Sequence, residues 1–133
     1  MAKKNPKKIV IVDDNDVIRT LLRGMLRGED YEVAGEANSG DLVAPLVQRV
    51  QPDAVLLDVD LPSSSGLEVL KSLREQYPSL VVLMVTGHTD RDTVKAAIDN
   101  GANGYIVKPF NAGKVLDTIA RALEKAKPDQ TPR

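Results

Sequence analysis

Lys8-Ile9-Val10-Ile11-Val12-Asp13-Asp14-Asn15-Asp16 is the stretch that decides how this chain folds. Its apolar part is β-branched and lacks polar alternation, the pattern of a central strand covered on both faces. The run stops at a cluster of acids. From there to Arg27, Val17, Ile18, Leu21, Leu22, Met25 and Leu26 recur at helical spacing, with Asn15 or Asp16 placed to cap the free N–H groups. A buried strand feeding an amphipathic helix that ends near Gly28 is the first half of a βαβ unit.

The pattern repeats outward from this unit. Strands are predicted at Tyr31 to Ala37, Ala54 to Asp58, Leu80 to Thr86 and Gly104 to Val107. Helices follow them, from Ser39 or Asp41 to Val50, then Leu67 to Gln76, Asp90 to Asn100 and Ala112 to Leu123. Pro45 lies inside the second helix and is expected to kink or shorten it. Strict alternation forces parallel strands joined by right-handed crossovers, with helices on both faces. The fold class is therefore an open α/β sheet of (βα)5 form in a single domain over residues 8–124. Residues 1–7 read as a flexible basic arm and 125–133 as a flexible tail.

Composition narrows the chemistry. The chain has 133 residues, 42% of them hydrophobic, with eighteen Lys and Arg against nineteen Asp and Glu and a net charge of −1. No bulk positive charge marks a nucleic-acid binder, and no apolar run approaches the roughly 20 residues that span a bilayer. The expected location is cytoplasmic, with neither membrane nor direct nucleic-acid binding. Zero cysteines and one histidine, His88, exclude disulfides, thiolate zinc sites and two-histidine catalysis. Carboxylates, hydroxyls and amines must carry the chemistry.

In a parallel α/β sheet the ligand crevice lies beyond the carboxyl ends of the strands. Those ends carry Asp13 and Asp14, then Asp58, Thr86 and Lys108. Carboxylates gathered at one rim repel each other unless a cation neutralises them. Oxygen ligands without His or Cys point to Mg²⁺, with Mn²⁺ an alternative. A carboxylate is also a possible nucleophile, forming an aspartyl phosphate whose oxygens Mg²⁺, Lys108 and the Thr86 hydroxyl would stabilise. The bland reading makes each residue a polar strand end or helix cap.

At these residues the sequence resembles the receiver domains of two-component response regulators, chemotaxis receivers included, over about Lys7 to Lys125. The resemblance rests on Ile11-Val12-Asp13-Asp14, on Leu56-Leu57-Asp58-Val59-Asp60-Leu61-Pro62 with Gly66-Leu67-Glu68-Val69-Leu70, on Val85-Thr86-Gly87, and on Gly101-Ala102, Gly104-Tyr105 and Lys108-Pro109-Phe110. It implies a flavodoxin-like sheet with strand order 2-1-3-4-5. Asp58 is then the phosphoacceptor, served by a histidine kinase or a histidine phosphotransfer protein. Asp13, Asp14 and Asp58 with the backbone carbonyl of Asp60 would form the metal site, Asp14 as direct ligand and Asp13 through water. Thr86 and Lys108 would contact the phosphoryl oxygens, and a cis Lys108–Pro109 peptide would aim the amine.

The resemblance further makes Thr86 and Tyr105 a switch pair acting on the surface formed by helix Asp90–Asn100, strand Gly104–Val107 and helix Ala112–Leu123. The competing reading of Tyr105 is a half-buried edge tyrosine. Asp60 and His88 occupy positions that tune hydrolysis of the acyl phosphate. A kinase would dock on the helix beginning at Val17, with Ile18 the candidate contact and ordinary packing the alternative. Such a chain is a signalling phosphoacceptor, not an enzyme beyond its own phosphorylation and dephosphorylation. It is expected to be monomeric when unphosphorylated, with dimerisation on phosphorylation left open, and a free-standing regulator is slightly favoured over a piece of a longer one. The enzyme alternative is a haloacid-dehalogenase-type phosphatase built on Asp58-Val59-Asp60. Nucleotide binding lacks support, since neither Gly-x-Gly-x-x-Gly nor Gly-x-x-x-x-Gly-Lys occurs.

Overall fold

The computed structural model describes residues 5–126. Five strands, β1 (Lys7–Val12), β2 (Tyr31–Ala37), β3 (Ala54–Leu57), β4 (Val81–Thr86) and β5 (Gly104–Val107), form one parallel sheet in the order β2-β1-β3-β4-β5. Between and after them run α1 (Asp16–Leu26), α2 (Val43–Val50), α3 (Gly66–Gln76), α4 (Arg91–Asp99) and α5 (Ala112–Ala126). This is the flavodoxin-like architecture that the alternation and the resemblance together implied.

Alternate residues of each central strand enter separate cores. Ile9 and Ile11 of β1, Ala54 and Leu56 of β3, and Val81, Leu83 and Val85 of β4 join Leu22 and Leu26 of α1 and Val115 and Ile119 of α5. Their neighbours Val10, Val12, Val55, Leu57, Val82 and Met84 pack on the opposite face against Leu46, Val47, Leu70, Leu73 and Ala97 from α2, α3 and α4. A strand covered on both sides has no position free for a polar residue, which is why β1, β3 and β4 read as unbroken apolar runs.

The differences from expectation are local and have physical causes. Lys7 pairs with Tyr31 and opens β1, so the strand begins one residue before the run that marks it. At the other end α5 continues through Lys125 to Ala126, because Leu123 and Ala126 still find the apolar face of the sheet. Residues 1–4 of the basic arm and 127–133 of the tail lie outside the described residues. Asn15, rather than Asp16, caps α1, its Oδ1 accepting from the backbone N–H groups of Val17 (2.8 Å) and Ile18 (3.1 Å). Pro45 stands near the start of α2, which is shortened as expected and begins only at Val43. It is the third residue of a short helix entered through a 3₁₀ turn at Gly40–Leu42, where the missing N–H has no partner to lose.

Two further devices fix the loops. Ser65 and Glu68 form a reciprocal capping box at the start of α3. The Arg74 guanidinium donates to the carbonyls of Tyr77, Pro78, Leu80 and Gly101 and to Oδ1 of Asn103, tying the ends of α3 and α4 to the sheet. Gly101 has φ +96°, and a Cβ there would lie 2.9 Å from the Arg74 Nε, so the close approach requires glycine. No helix among the described residues is long and apolar enough to cross a membrane.

Candidate functional site

The carboxyl ends of β1, β3, β4 and β5 converge, and backbone hydrogen bonds fix how they do so. Asp13 donates its N–H to Ala37 (3.1 Å), Asp58 to Val12 (3.0 Å) and Lys108 to the Thr86 carbonyl (2.9 Å). Each of these residues therefore continues the ladder one step past its strand, at the point where the chain must turn toward a helix. Asp13, Asp58 and Thr86 are the buried polar residues among those described, whereas Asp14 is exposed.

Lys108 joins the two buried acids. Its Nζ donates to Asp13 Oδ2 and to Asp58 Oδ2, both at 2.9 Å. Asp13 Oδ1 accepts from the Asn15 N–H at 2.9 Å, and Asp58 Oδ1 from the Asp60 N–H at 3.3 Å. Burial pushes the Asp13 carboxyl above the usual carboxylate range, with Lys108 pulling the other way. Burial also opposes the Lys108 charge, but the hydrogen bonds to Asp13 and Asp58 outweigh it and raise the pKa.

Asp13, Asp14 and Asp58 each offer a carboxylate oxygen, and these atoms lie within 4.8 Å of one another. Three carboxylates against one ammonium leave two negative charges, the complement of a single divalent cation. The donors are hard oxygens with no imidazole or thiolate among them, so the set fits Mg²⁺.

Residues 9–120 match the response regulator receiver domain. The chain belongs to that family. It is 39% identical over 117 residues to chemotaxis protein CheY of Listeria monocytogenes, covering 88% of this chain and 98% of that protein. Similarity at 33% over 120 residues extends to the transcriptional regulatory protein PdtaR of Mycobacterium tuberculosis, covering 90% of this chain but 58% of that one. A crystal structure of a CheY-like receiver domain protein from Methanospirillum hungatei superposes with a TM-score of 0.85 at 29% identity, over 90% of this chain and 95% of that one. As a receiver of the two-component type, the chain is a signalling domain, and the phosphatase reading of Asp58-Val59-Asp60 is dropped.

The remaining candidates lie around the acidic pocket of this receiver. Thr86 is fully buried and its Oγ1 accepts from the His88 N–H at 3.4 Å. The Lys108–Pro109 peptide is cis. Tyr105 is half-buried, and its hydroxyl donates to the His88 carbonyl at 2.7 Å. Asp60 and His88 meet, with His88 Nε2 2.8 Å from Asp60 Oδ2 and Nδ1 3.6 Å from Asp90 Oδ1. The hydrogen bond and charge of Asp60 raise the His88 pKa above its ordinary value.

At Ile18 the structure bears out the alternative of ordinary packing. This residue is half-buried and packs on the α1–α5 core, one turn from Leu22 on the same helical face. The exposed apolar residues of α1 are Val17 and Leu21, 65% and 48% exposed. Sequence reasoning also passed over Arg19 and Glu36. Arg19 donates to the Asp13 carbonyl at 2.5 Å and to Glu36 Oε1 at 3.2 Å. A basic residue six positions after Asp13 was a visible signal, but its acidic partner on β2 was not.

Proposed function

We propose that Asp58 is the phosphoacceptor of a two-component phosphorelay, taking a phosphoryl group from the phosphohistidine of a histidine kinase or a histidine phosphotransfer protein. A carboxylate oxygen of Asp58 forms the new P–O bond while the P–N bond breaks, and its electron pair returns to the donor's imidazole. The observation that carries this reading is the pair of 2.9 Å contacts from Lys108 to Asp13 and Asp58 within a pocket of net charge −2.

Asp13, Asp14 and Asp58, with the backbone carbonyl of Asp60, would hold Mg²⁺, and Mn²⁺ is an acceptable substitute. The bound cation supplies charge neutralisation for the transferring phosphoryl oxygens. Lys108 releases Asp58 to contact a phosphoryl oxygen and remains within reach of Asp13. Thr86 donates its hydroxyl to a second oxygen, giving up its contact with the His88 N–H. That N–H and the His88 carbonyl belong to the segment Tyr105 grips, so movement of Thr86 reaches Tyr105 and the α4–β5–α5 surface. Exposed Ile98 and Val107 lie on that surface and favour a protein partner there. Asp60 and His88, paired beside the acceptor, tune how water reaches the acyl phosphate.

Phosphotransfer from candidate histidine kinases, with Asp58→Ala as the control, tests the reading. Mg²⁺-dependent labelling that vanishes in Asp58→Ala is expected, and labelling that survives would overturn the assignment.

A further inference from the structure

Asp13 is held at every polar atom. Its N–H donates to Ala37, its carboxylate oxygens accept from Asn15 and Lys108, and its carbonyl accepts from Arg19 Nη1 at 2.5 Å. The last of these bonds acts on the peptide that joins Asp13 to Asp14. Because a peptide group is planar, fixing its carbonyl also fixes the direction in which the Asp14 Cα leaves β1. Asp14 is exposed, so its placement depends on this backbone.

Arg19 is itself anchored. Its side chain is 15% exposed; Nε donates to Glu36 Oε1 at 3.2 Å and Nη2 to the Asp16 carboxylate. Glu36 immediately precedes Ala37, whose carbonyl receives the Asp13 N–H. One planar guanidinium thus spans from β2 to the Asp13 carbonyl, a geometry that an ammonium does not reproduce. Arg23 donates to the other oxygen of Glu36 at 2.6 Å without contacting Asp13.

We propose that Arg19 is a positioning residue for the acidic pocket, holding the Asp13–Asp14 peptide so that both carboxylates face a shared divalent cation. This inference rests on the reading of Asp13, Asp14 and Asp58 as a Mg²⁺ site. It assigns Arg19 a role distinct from gluing α1 to β2, which Arg23 also serves.

The experiment is a Mg²⁺ titration followed by ¹H–¹⁵N NMR, with no phosphodonor present, on the wild-type chain and on Arg19→Ala, Arg19→Lys and Arg23→Ala. Arg19→Ala is expected to weaken Mg²⁺ binding about tenfold, the loss typical of a residue that orients metal ligands. In the metal-free spectra it also shifts the Asp14 amide. Arg19→Lys weakens binding by an intermediate factor. Arg23→Ala stays within about twofold of wild type, the spread of a surface substitution. Binding by Arg19→Ala within that spread, or an equal loss in Arg23→Ala, would overturn the inference. Should Arg19→Ala not fold, wild-type affinity in Arg19→Lys overturns it as well. Absence of Mg²⁺ binding by the wild-type chain would overturn the metal reading itself, and this inference with it.

Discussion

A Cβ added to Gly66 would lie 1.9 Å from the carbonyl oxygen of Asp58. The first residue of α3 is thus pressed against the backbone of the phosphoacceptor candidate, and the Gly66 N–H donates to the Val59 carbonyl at 2.7 Å. Backbone, unlike a flexible side-chain end, does not step aside. Gly66→Ala is therefore expected to cost about 3 kcal/mol, at the upper end of overpacking penalties, and to shift the Asp58 and Val59 amides. Urea unfolding and ¹H–¹⁵N spectra measure both.

Removing the Lys108 ammonium leaves Asp13 and Asp58 buried with no cation. Breaking such a pair costs several kcal/mol in a dry interior; with Lys108 22% exposed the expectation is about 2–3 kcal/mol for Lys108→Met in metal-free buffer. The same variant should gain more stability from saturating Mg²⁺ than wild type does, because a cation binding the folded state relieves a larger excess of negative charge. Equal Mg²⁺-induced gains in urea melts would contradict this.

Arg74 has no carboxylate among its six hydrogen bonds; all run to carbonyl-type oxygens. Burial lowers its pKa without removing its charge. Arg74→Ala should destabilise the chain by about 3 kcal/mol, since it orphans several partly buried carbonyls at once. Arg74→Lys should recover less than half of that, because three donors on one nitrogen do not cover acceptors spread from Tyr77 to Asn103. Equilibrium unfolding of the two variants checks the order.

His88 should titrate above the ordinary imidazole value of about 6.5 in metal-free buffer. Since its folded-state pKa is the raised one, the pair with Asp60 favours the folded state fully below the ordinary value. That contribution disappears as pH rises through the folded-state pKa. NMR of the imidazole C–H signals reads the titration directly. Asp60→Asn should return it toward the ordinary value, and an unchanged curve would show that Asp60 is not the cause.

On α1, Val17 and Leu21 form the exposed apolar pair one helical turn apart. Leu21→Lys is expected to slow phosphotransfer from a cognate histidine kinase about tenfold, the loss of about 1.4 kcal/mol of docking energy. Phosphorylation by a small phosphodonor should be unaffected. A kinase reaction at the wild-type rate would remove this face from the docking surface.

The sequence carried the parts of this molecule that obey periodic rules. Val10, Leu56 and Val82 lie in strands buried on both faces, so their runs were unbroken, and the polar residues that interrupt them had to mark strand ends. That placed Asp13, Asp58, Thr86 and Lys108 together. Strand order did not follow from alternation and came only with the resemblance. Packing and exposure stayed open at Ile18 because the apolar arc of α1 is wider than the face it buries, and one residue of rotation separates a core position from an exposed one. Arg19 with Glu36, and Arg74 with Gly101, were illegible for a different reason. Each is a polar contact between distant segments, and nothing in the sequence tells which acid or carbonyl an arginine will reach across that distance.

The ammonium of Lys108 lies 95 positions from one of its acidic partners and 50 from the other. Contacts of such separation close late, after the loop entropy between them has been overcome. During vectorial synthesis Asp13 and Asp58 emerge first, and their counter-charge arrives only with the last strand. A chain halted before Gly104 thus lacks the ammonium that the complete fold sets between Asp13 and Asp58, so the charge balance of the pocket is completed only by the last residues of the sheet to be made.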